Sequence, residues 1–387
     1  MDSSVGSALY PTGVSRDDKY YIPVGDVTIL VSKTLFRVHR HVLARDGSTF
    51  EDMFSLDSDG DPDERQNDTK SFVQDGADDE HPIVMQGDQE VEFRDLLWCL
   101  YALPQKILEA TTPKTEDGIL KLANIAHIAN KYHFVTTELW ALQCLTDFFR
   151  NEPSNPQTQA QQGHTRGRTQ RVPLSTSTLV KVTEVATLCE GREHNNILLD
   201  ALRPKWKSLI HTRSDVGLAL SVTERLGLRD LCGLAYHSML QQGRENWDRD
   251  PHLTREHRIR LLSGFHKVTQ FCDLLPSSPP AFTHHPNCID GPEECGRAWK
   301  AFWKSMMSLD PDVGVGSQAM RHDKLDVLGR LMMAVSIMQT LEKGELQTLG
   351  THPFEECDEC HRPAMQATVV VCKKVQDELM DFFPDVV

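Results

Sequence analysis

Residues Asp26 to Phe54 read Asp-Val-Thr-Ile-Leu-Val-Ser-Lys-Thr-Leu-Phe-Arg-Val-His-Arg-His-Val-Leu-Ala-Arg-Asp-Gly-Ser-Thr-Phe-Glu-Asp-Met-Phe, and the spacing of the apolar residues changes part-way along. Val27, Ile29 and Val31 alternate with Thr28 and Leu30 at the two-residue period of a half-buried strand, and Ser32-Lys33 supplies a short polar turn. A second strand follows through Phe36 and Val38. From His39 the spacing becomes helical, with Val42 and Leu43 three and four residues on. Asp46, Gly47 and Ser48 then break the chain, and Ser48 is placed to N-cap a helix carrying Phe50, Met53 and Phe54. The stretch predicts a hairpin that runs directly into two short helices.

At Asp26-Val27, at Phe36-Arg37-Val38-His39-Arg40-His41-Val42-Leu43 and at Ser48-Thr49-Phe50-Glu51 the chain resembles the BTB/POZ domain. The positions that carry the resemblance are Asp26, Val27, Phe36, His39, Leu43, Ser48 and Phe50. It continues downstream: His81 to Met85 is similar to the third strand, Val91 to Leu103 to the next helix, Gly118 to Tyr132 to the penultimate helix, and Leu139 to Phe149 to the last. Where the family closes its middle helix on a Tyr-Thr-Gly-like turn, Tyr101-Ala102-Leu103-Pro104 stands here.

The resemblance implies an α+β domain, a small sheet with a cluster of helices, over residues 17–150. It also implies assembly into homodimers or BTB heteromers; many members of the family bridge a cullin scaffold to a substrate protein carried by a second domain. Asp26 and Arg40 match the family's charged pocket at the dimer groove, where such a pair specifies geometry more than it adds stability. The plainer alternative is that Asp26 caps the start of a strand and Arg40 is a solvated helix residue. His39 matches the family histidine, a residue more often packed than ligating.

Composition frames the rest. With 387 residues and 39% hydrophobic content the chain is long enough for two or three domains with buried cores. A formal net charge of -15 opposes general binding to phosphate backbones, so nucleic acid is not an expected partner. The first residues have neither the basic stretch nor the apolar run of a secretory signal, and no apolar run approaches a membrane span; a soluble intracellular protein, cytoplasmic or nuclear, is expected. Ten cysteines over this length do not form a secreted disulfide framework, and Cys99, Cys144, Cys189 and Cys232 lie in apolar helical stretches as expected buried thiols.

Residues 1–16 read as a flexible N-terminus, and two further segments interrupt the folded parts. Residues 57–80 hold ten acidic residues against Arg65 and Lys70, too little apolar surface to offset their ordering entropy, and are expected as a disordered acidic insertion. A calcium loop starting at Asp57 is disfavoured because Pro62 stands where the loop's glycine belongs. Residues 151–178, rich in Pro, Gln and Ser with Arg166, Arg168 and Arg171, have the composition of a flexible linker. From 179 to 275 the chain reads as helical: stripes run from Leu179 to Leu188, from Ile197 to Ile210 with a break near Pro204, from Leu218 to Leu226 and from Leu228 to Met239. This region resembles the BACK-type extension in position, and Leu-Gly-Leu-Arg-Asp-Leu at 226–231 is similar to fungal BTB proteins.

The last region, 276–387, is helical and bears cysteines. Trp299, Phe302 and Trp303 crowd one helix, Leu325 to Leu341 stripe a second, and Val371, Val375, Leu379 and Phe382 mark a last one after Pro363, although Val369-Val370-Val371 alone could form a strand. Cys288 and Cys295 flank a Gly-Pro turn, while Cys357 and Cys360 form a Cys-x-x-Cys knuckle. These four could close a tetrahedral structural zinc site, with His284, His285, His352 or His361 able to substitute for one ligand; thiols without a metal are the alternative. Such a clamp would hold the loop before the Trp helix to the start of the last helix. Covalent haem at Cys357 to His361 needs a maturation route that this N-terminus does not suggest, and acidic neighbours oppose a thioredoxin-like dithiol.

The sequence holds no Gly-x-Ser-x-Gly elbow, no Gly-Lys-Ser/Thr phosphate loop and no His-Glu-x-x-His. It therefore reads as a non-enzyme. The expectation is an interaction protein that dimerises through a BTB-like domain and acts as an adaptor to a cullin-type ubiquitin ligase. Two alternatives stand beside it: a dimerising regulator or scaffold with no ligase link, and a metal-dependent or redox enzyme using the C-terminal cysteines.

Overall fold

The computed structural model describes residues 13–56, 75–151, 172–189, 197–308, 324–342 and 358–384. The chain divides into two compact units, Met1–Pro204 and Lys205–Val387.

In the first unit the quoted stretch forms the hairpin that its spacing predicts. Strands β1 (Ser15–Tyr21), β2 (Val27–Val31), β3 (Thr34–Val38) and, after two helices, β4 (Ile83–Met85) make one sheet in the order β1-β3-β2-β4. The hairpin pairs Val27 with Val38 and Val31 with Thr34, and Ser32 turns it in the left-handed region at φ 54°. All five residues of β2 are buried, not only the alternate set. The strand lies inside the sheet with both faces covered, so its polar Thr28 is enclosed as fully as Ile29.

β1 was not legible in the spacing. Its Ser-Arg-Asp-Asp-Lys-Tyr-Tyr sequence carries charges because it is an edge strand, paired on one side only, in parallel with β3. It begins at Ser15, so the last residues of the expected flexible N-terminus belong to the sheet. Residues 57–74 of the expected disordered acidic insertion lie outside the described residues. Its final part, 75–80, is tied in: the Thr28 N–H donates to the Gly76 carbonyl at 2.8 Å, and Asp79 accepts from Arg16 and from the Tyr21 hydroxyl at 2.7 Å. Local charge marked this segment as loop, but long-range partners for those charges fix it.

Helices α1 (Arg40–Leu43), α2 (Thr49–Leu56), α3 (Glu90–Tyr101), α4 (Pro104–Ala110), α5 (Glu116–Lys131), α6 (Val135–Asn151) and α7 (Thr176–Leu188) complete this unit. The core joins Phe36 and Phe93, edge to face at 5.1 Å, to Phe50, which packs on Tyr132 and Phe134. α7 follows the expected linker, yet packs against α5. Ser175 caps α7, and both Ser175 and Thr178 donate to Glu116 at the start of α5. On α3, the buried Glu92 accepts from Lys181 of α7 and pairs with His127 of α5 at 2.9 Å. The linker's end at 172–178 is thus anchored, and the first unit extends past the expected limit of 150.

α8 (Ile197–His211) runs through Pro204 without the expected break, and its apolar positions Leu202 and Trp206 on either side are fully buried. The second unit contains α9 (Val216–Arg225), α10 (Arg229–Gln242), α11 (Arg244–Arg249), α12 (Arg255–Leu274), α13 (Gly291–Met307), α14 (Val327–Glu342), α15 (Asp358–Asp377) and a 3₁₀ turn, Leu379–Phe382. Glu224 joins three elements here, meeting His257 at 2.5 Å, Arg260 and the Tyr236 hydroxyl at 3.0 Å. Phe383 stacks on Tyr236 at 5.0 Å and is pressed against α12 where Gly264 has no side chain. α15 starts before Pro363, and Val369-Val370-Val371 is helical. The strand alternative is set aside, with Val369 and Val370 facing solvent. Among the described residues no helix is long and apolar enough to cross a membrane.

Candidate functional site

The second unit's site grows from α13. Gly291 and Pro292 open this helix after a turn in which the Cys288 N–H donates to the His285 carbonyl and the Gly291 N–H to the Cys288 carbonyl. Trp299 and Trp303, four residues apart, point their indole N–H groups out of the helix at the Pro280 and Leu275 carbonyls, 2.9 and 2.8 Å away. These bonds fix the incoming segment along α13. Phe282 rests edge-on against Trp299 and also contacts the His284 ring, at 4.6 Å between centroids. A chain of aromatic contacts therefore positions His284.

About one turn into α13 stands Cys295, and the first turn of α15 carries Cys360; both are fully buried. With the half-buried His284 and Cys288 they form a group whose four potential ligand atoms all lie within 4.8 Å of one another. His284 Nδ1 is 3.8 Å from Cys360 Sγ, and the His285 N–H points at the same sulfur at 3.4 Å. Burial pushes the Cys295 thiol up, and the adjoining Cys360 and Cys288 push it further. Three sulfurs and an imidazole brought to one point can hold a metal ion.

Of the expected ligands, Cys288, Cys295 and Cys360 come together. Cys357 and the substitute His352 lie outside the described residues. The fourth donor in the group is His284, one of the four histidines named as substitutes. His285 instead turns its ring toward Glu359, and His361 is buried next to Cys360 without joining the group. Pairwise cysteine spacing pointed to Cys357; only the Trp299–Phe282 packing shows that the loop delivers His284.

Several thiols outside this group are weaker acids than a free cysteine. Burial raises Cys99 and Cys144 to about 11 and Cys232 to about 12. Cys144 and Cys232 are buried as expected; Cys99 and Cys189 are half-buried. None of the nine cysteines among the described residues forms a disulfide.

In the first unit the positions that carry the resemblance fall on the hairpin and the two short helices after it. Val27, Phe36, Leu43 and Phe50 are core residues. Asp26 and Arg40 meet, but through the Arg40 backbone N–H, which donates to Asp26 Oδ1 at 2.6 Å at the start of α1. The Arg40 guanidinium lies over the Phe54 ring at 4.9 Å. The His39 N–H donates to the Tyr101 hydroxyl at 3.0 Å, with His39 Nδ1 2.9 Å from the same oxygen. Ser48 precedes α2 as expected, but its hydroxyl donates to the Leu43 carbonyl at 2.5 Å, so it ties the two short helices together.

The chain matches no family model, no curated protein and no solved structure.

Proposed function

We propose that this chain is an interaction scaffold: a BTB/POZ-like domain that self-associates as a homodimer or pairs with another BTB domain and serves as an adaptor between a cullin-type ubiquitin ligase and a substrate protein. The observation that carries this reading is the single core in which Val27, Phe36, Leu43 and Phe50 meet the helices that follow them. An ordered set of residues quoted from one stretch of sequence is there used as one packed unit. Asp26 and Arg40, in contact at the outer end of that core, are the residues assigned to the assembly groove.

In this reading the His/Cys group of the second unit holds a structural zinc ion. Sedimentation of the purified chain, followed by capture with a cullin N-terminal region, tests the proposal. Self-association with cullin capture supports the adaptor; self-association without capture leaves the regulator or scaffold reading; a strict monomer that captures nothing overturns both.

A further inference from the structure

The four donors of the second unit are unequally distributed along the chain. His284, Cys288 and Cys295 fall within twelve residues, held in place by Trp299 and Phe282, whereas Cys360 arrives from another helix 65 residues later. Three ligands are local and one is remote. The remote one sits in the first turn of α15.

α15 packs against α14, but few of the side chains it fully buries near its start are apolar. Its buried positions from Cys360 to Thr368 are Cys360, His361, Ala364 and Thr368, so Ala364 is the only hydrocarbon side chain in the set. Val369 and Val370, which could have supplied more, are 41% and 60% exposed. α13, by contrast, buries Trp299, Phe302, Trp303, Met306 and Met307. The start of α15 fully buries less apolar surface than α13 does.

We propose that His284, Cys288, Cys295 and Cys360 are the complete coordination shell of one zinc ion, and that this ion is the clasp that fastens the first turns of α15 to the 284–295 segment. The inference rests on the zinc reading above and adds to it the ligand set, with His284 as the fourth donor. Zinc bound at about 2.3 Å to sulfur and 2.0–2.1 Å to nitrogen places its donors roughly 3.5–3.8 Å apart. The 3.8 Å between Cys360 Sγ and His284 Nδ1 is about 0.3 Å longer than the sulfur–nitrogen edge of such a tetrahedron. The His285 N–H directed at Cys360 Sγ is the outer hydrogen bond that a zinc thiolate takes. With four protein donors the shell is closed, which is the form of a structural site; a catalytic one keeps a position for water.

The test uses the full chain. Metal analysis after purification should find one zinc per chain, and chelation followed by hydrogen exchange should show residues 358–368 losing protection while the first unit keeps its own. Adding Zn²⁺ should restore that protection and adding Mg²⁺ should not. Cys360→Ser should lose the protection of 358–368 yet still bind zinc, more weakly, through the three local donors; Cys357→Ser should leave zinc content and protection unchanged. A chain that neither carries zinc nor binds it on titration overturns the zinc reading and the clasp together. Zinc bound and removable without any change at 358–368 overturns the clasp alone, and Cys357→Ser lowering zinc content as far as Cys360→Ser overturns the ligand set.

Discussion

The core of the first unit and, on the zinc reading, the junction of α13 with α15 in the second solve the same problem, fastening distant segments, with different chemistry. In the first, Phe36, Phe50, Phe93 and Phe134 come from four separate places and bury one another. In the second, α15 offers Cys360 and Ala364 where another helix would offer leucines. Hydrocarbon burial is non-directional and tolerates exchange of its members, whereas a thiolate and imidazole shell depends on every donor. On the zinc reading, a few directional groups join the two segments, and losing the remote donor undoes the join even where the metal stays bound.

The difference can be broken by experiment, and metal removal should give the largest effect. On the zinc reading, chelation destabilises the second unit by several kcal/mol, on the order of a structural zinc's contribution, and leaves the first unit's melting transition in place. Calorimetry with and without chelator measures this. Phe36→Ala should do the reverse, costing about 3–5 kcal/mol in the first unit through the cavity beside Phe93 and sparing the zinc content.

Acid should separate the two regions by pH. In Glu92 burial opposes ionisation, but hydrogen bonds from His127 and Lys181, with their charges, outweigh it and hold the group below 4.5. In Glu224 burial is likewise outweighed, by His257, Arg260 and the Tyr236 hydroxyl. A carboxyl depressed on folding stabilises the protein above its unfolded value, and that contribution is lost as pH falls through the folded value. Both units therefore lose stability below about pH 4.5. Protons also compete with zinc for thiolates, so the second unit should lose its metal at a higher pH, before the first unit changes. Tyrosine and tryptophan fluorescence against pH, with zinc release followed in parallel, shows the order.

A smaller effect sharpens the reading of Asp26. Removing its carboxylate in Asp26→Ala deprives the Arg40 N–H of its partner and should cost about 1 kcal/mol, the size of a helix cap. Arg40→Ala keeps that backbone bond and should weaken self-association while moving the denaturation midpoint little. Sedimentation beside urea titration distinguishes capping from assembly.

Much of the first unit was legible because its signals are local. The two-residue period from Val27 to Val31 and the helical spacings of α3, α5 and α6 reflect backbone geometry that any neighbours would share. β1 was missed because an edge strand bears charges, and the ends of the acidic insertion and of the linker were misread because Asp79 and Ser175 find partners far along the chain. At the candidate site, sequence named three of the four gathered donors. It could not choose the fourth, since spacing treats Cys357, His284 and the other histidines alike.

By itself, then, the sequence determined where most helices and the strands β2, β3 and β4 form and which residue types could bind a metal, because both are set by short-range periodicity and side-chain chemistry. The tertiary structure alone decided that β2 is buried on both faces, that α7 belongs with α5, and that His284 meets Cys288, Cys295 and Cys360. Those outcomes depend on which distant surfaces meet, and on the indole bonds of Trp299 and Trp303 that bring the loop alongside α13.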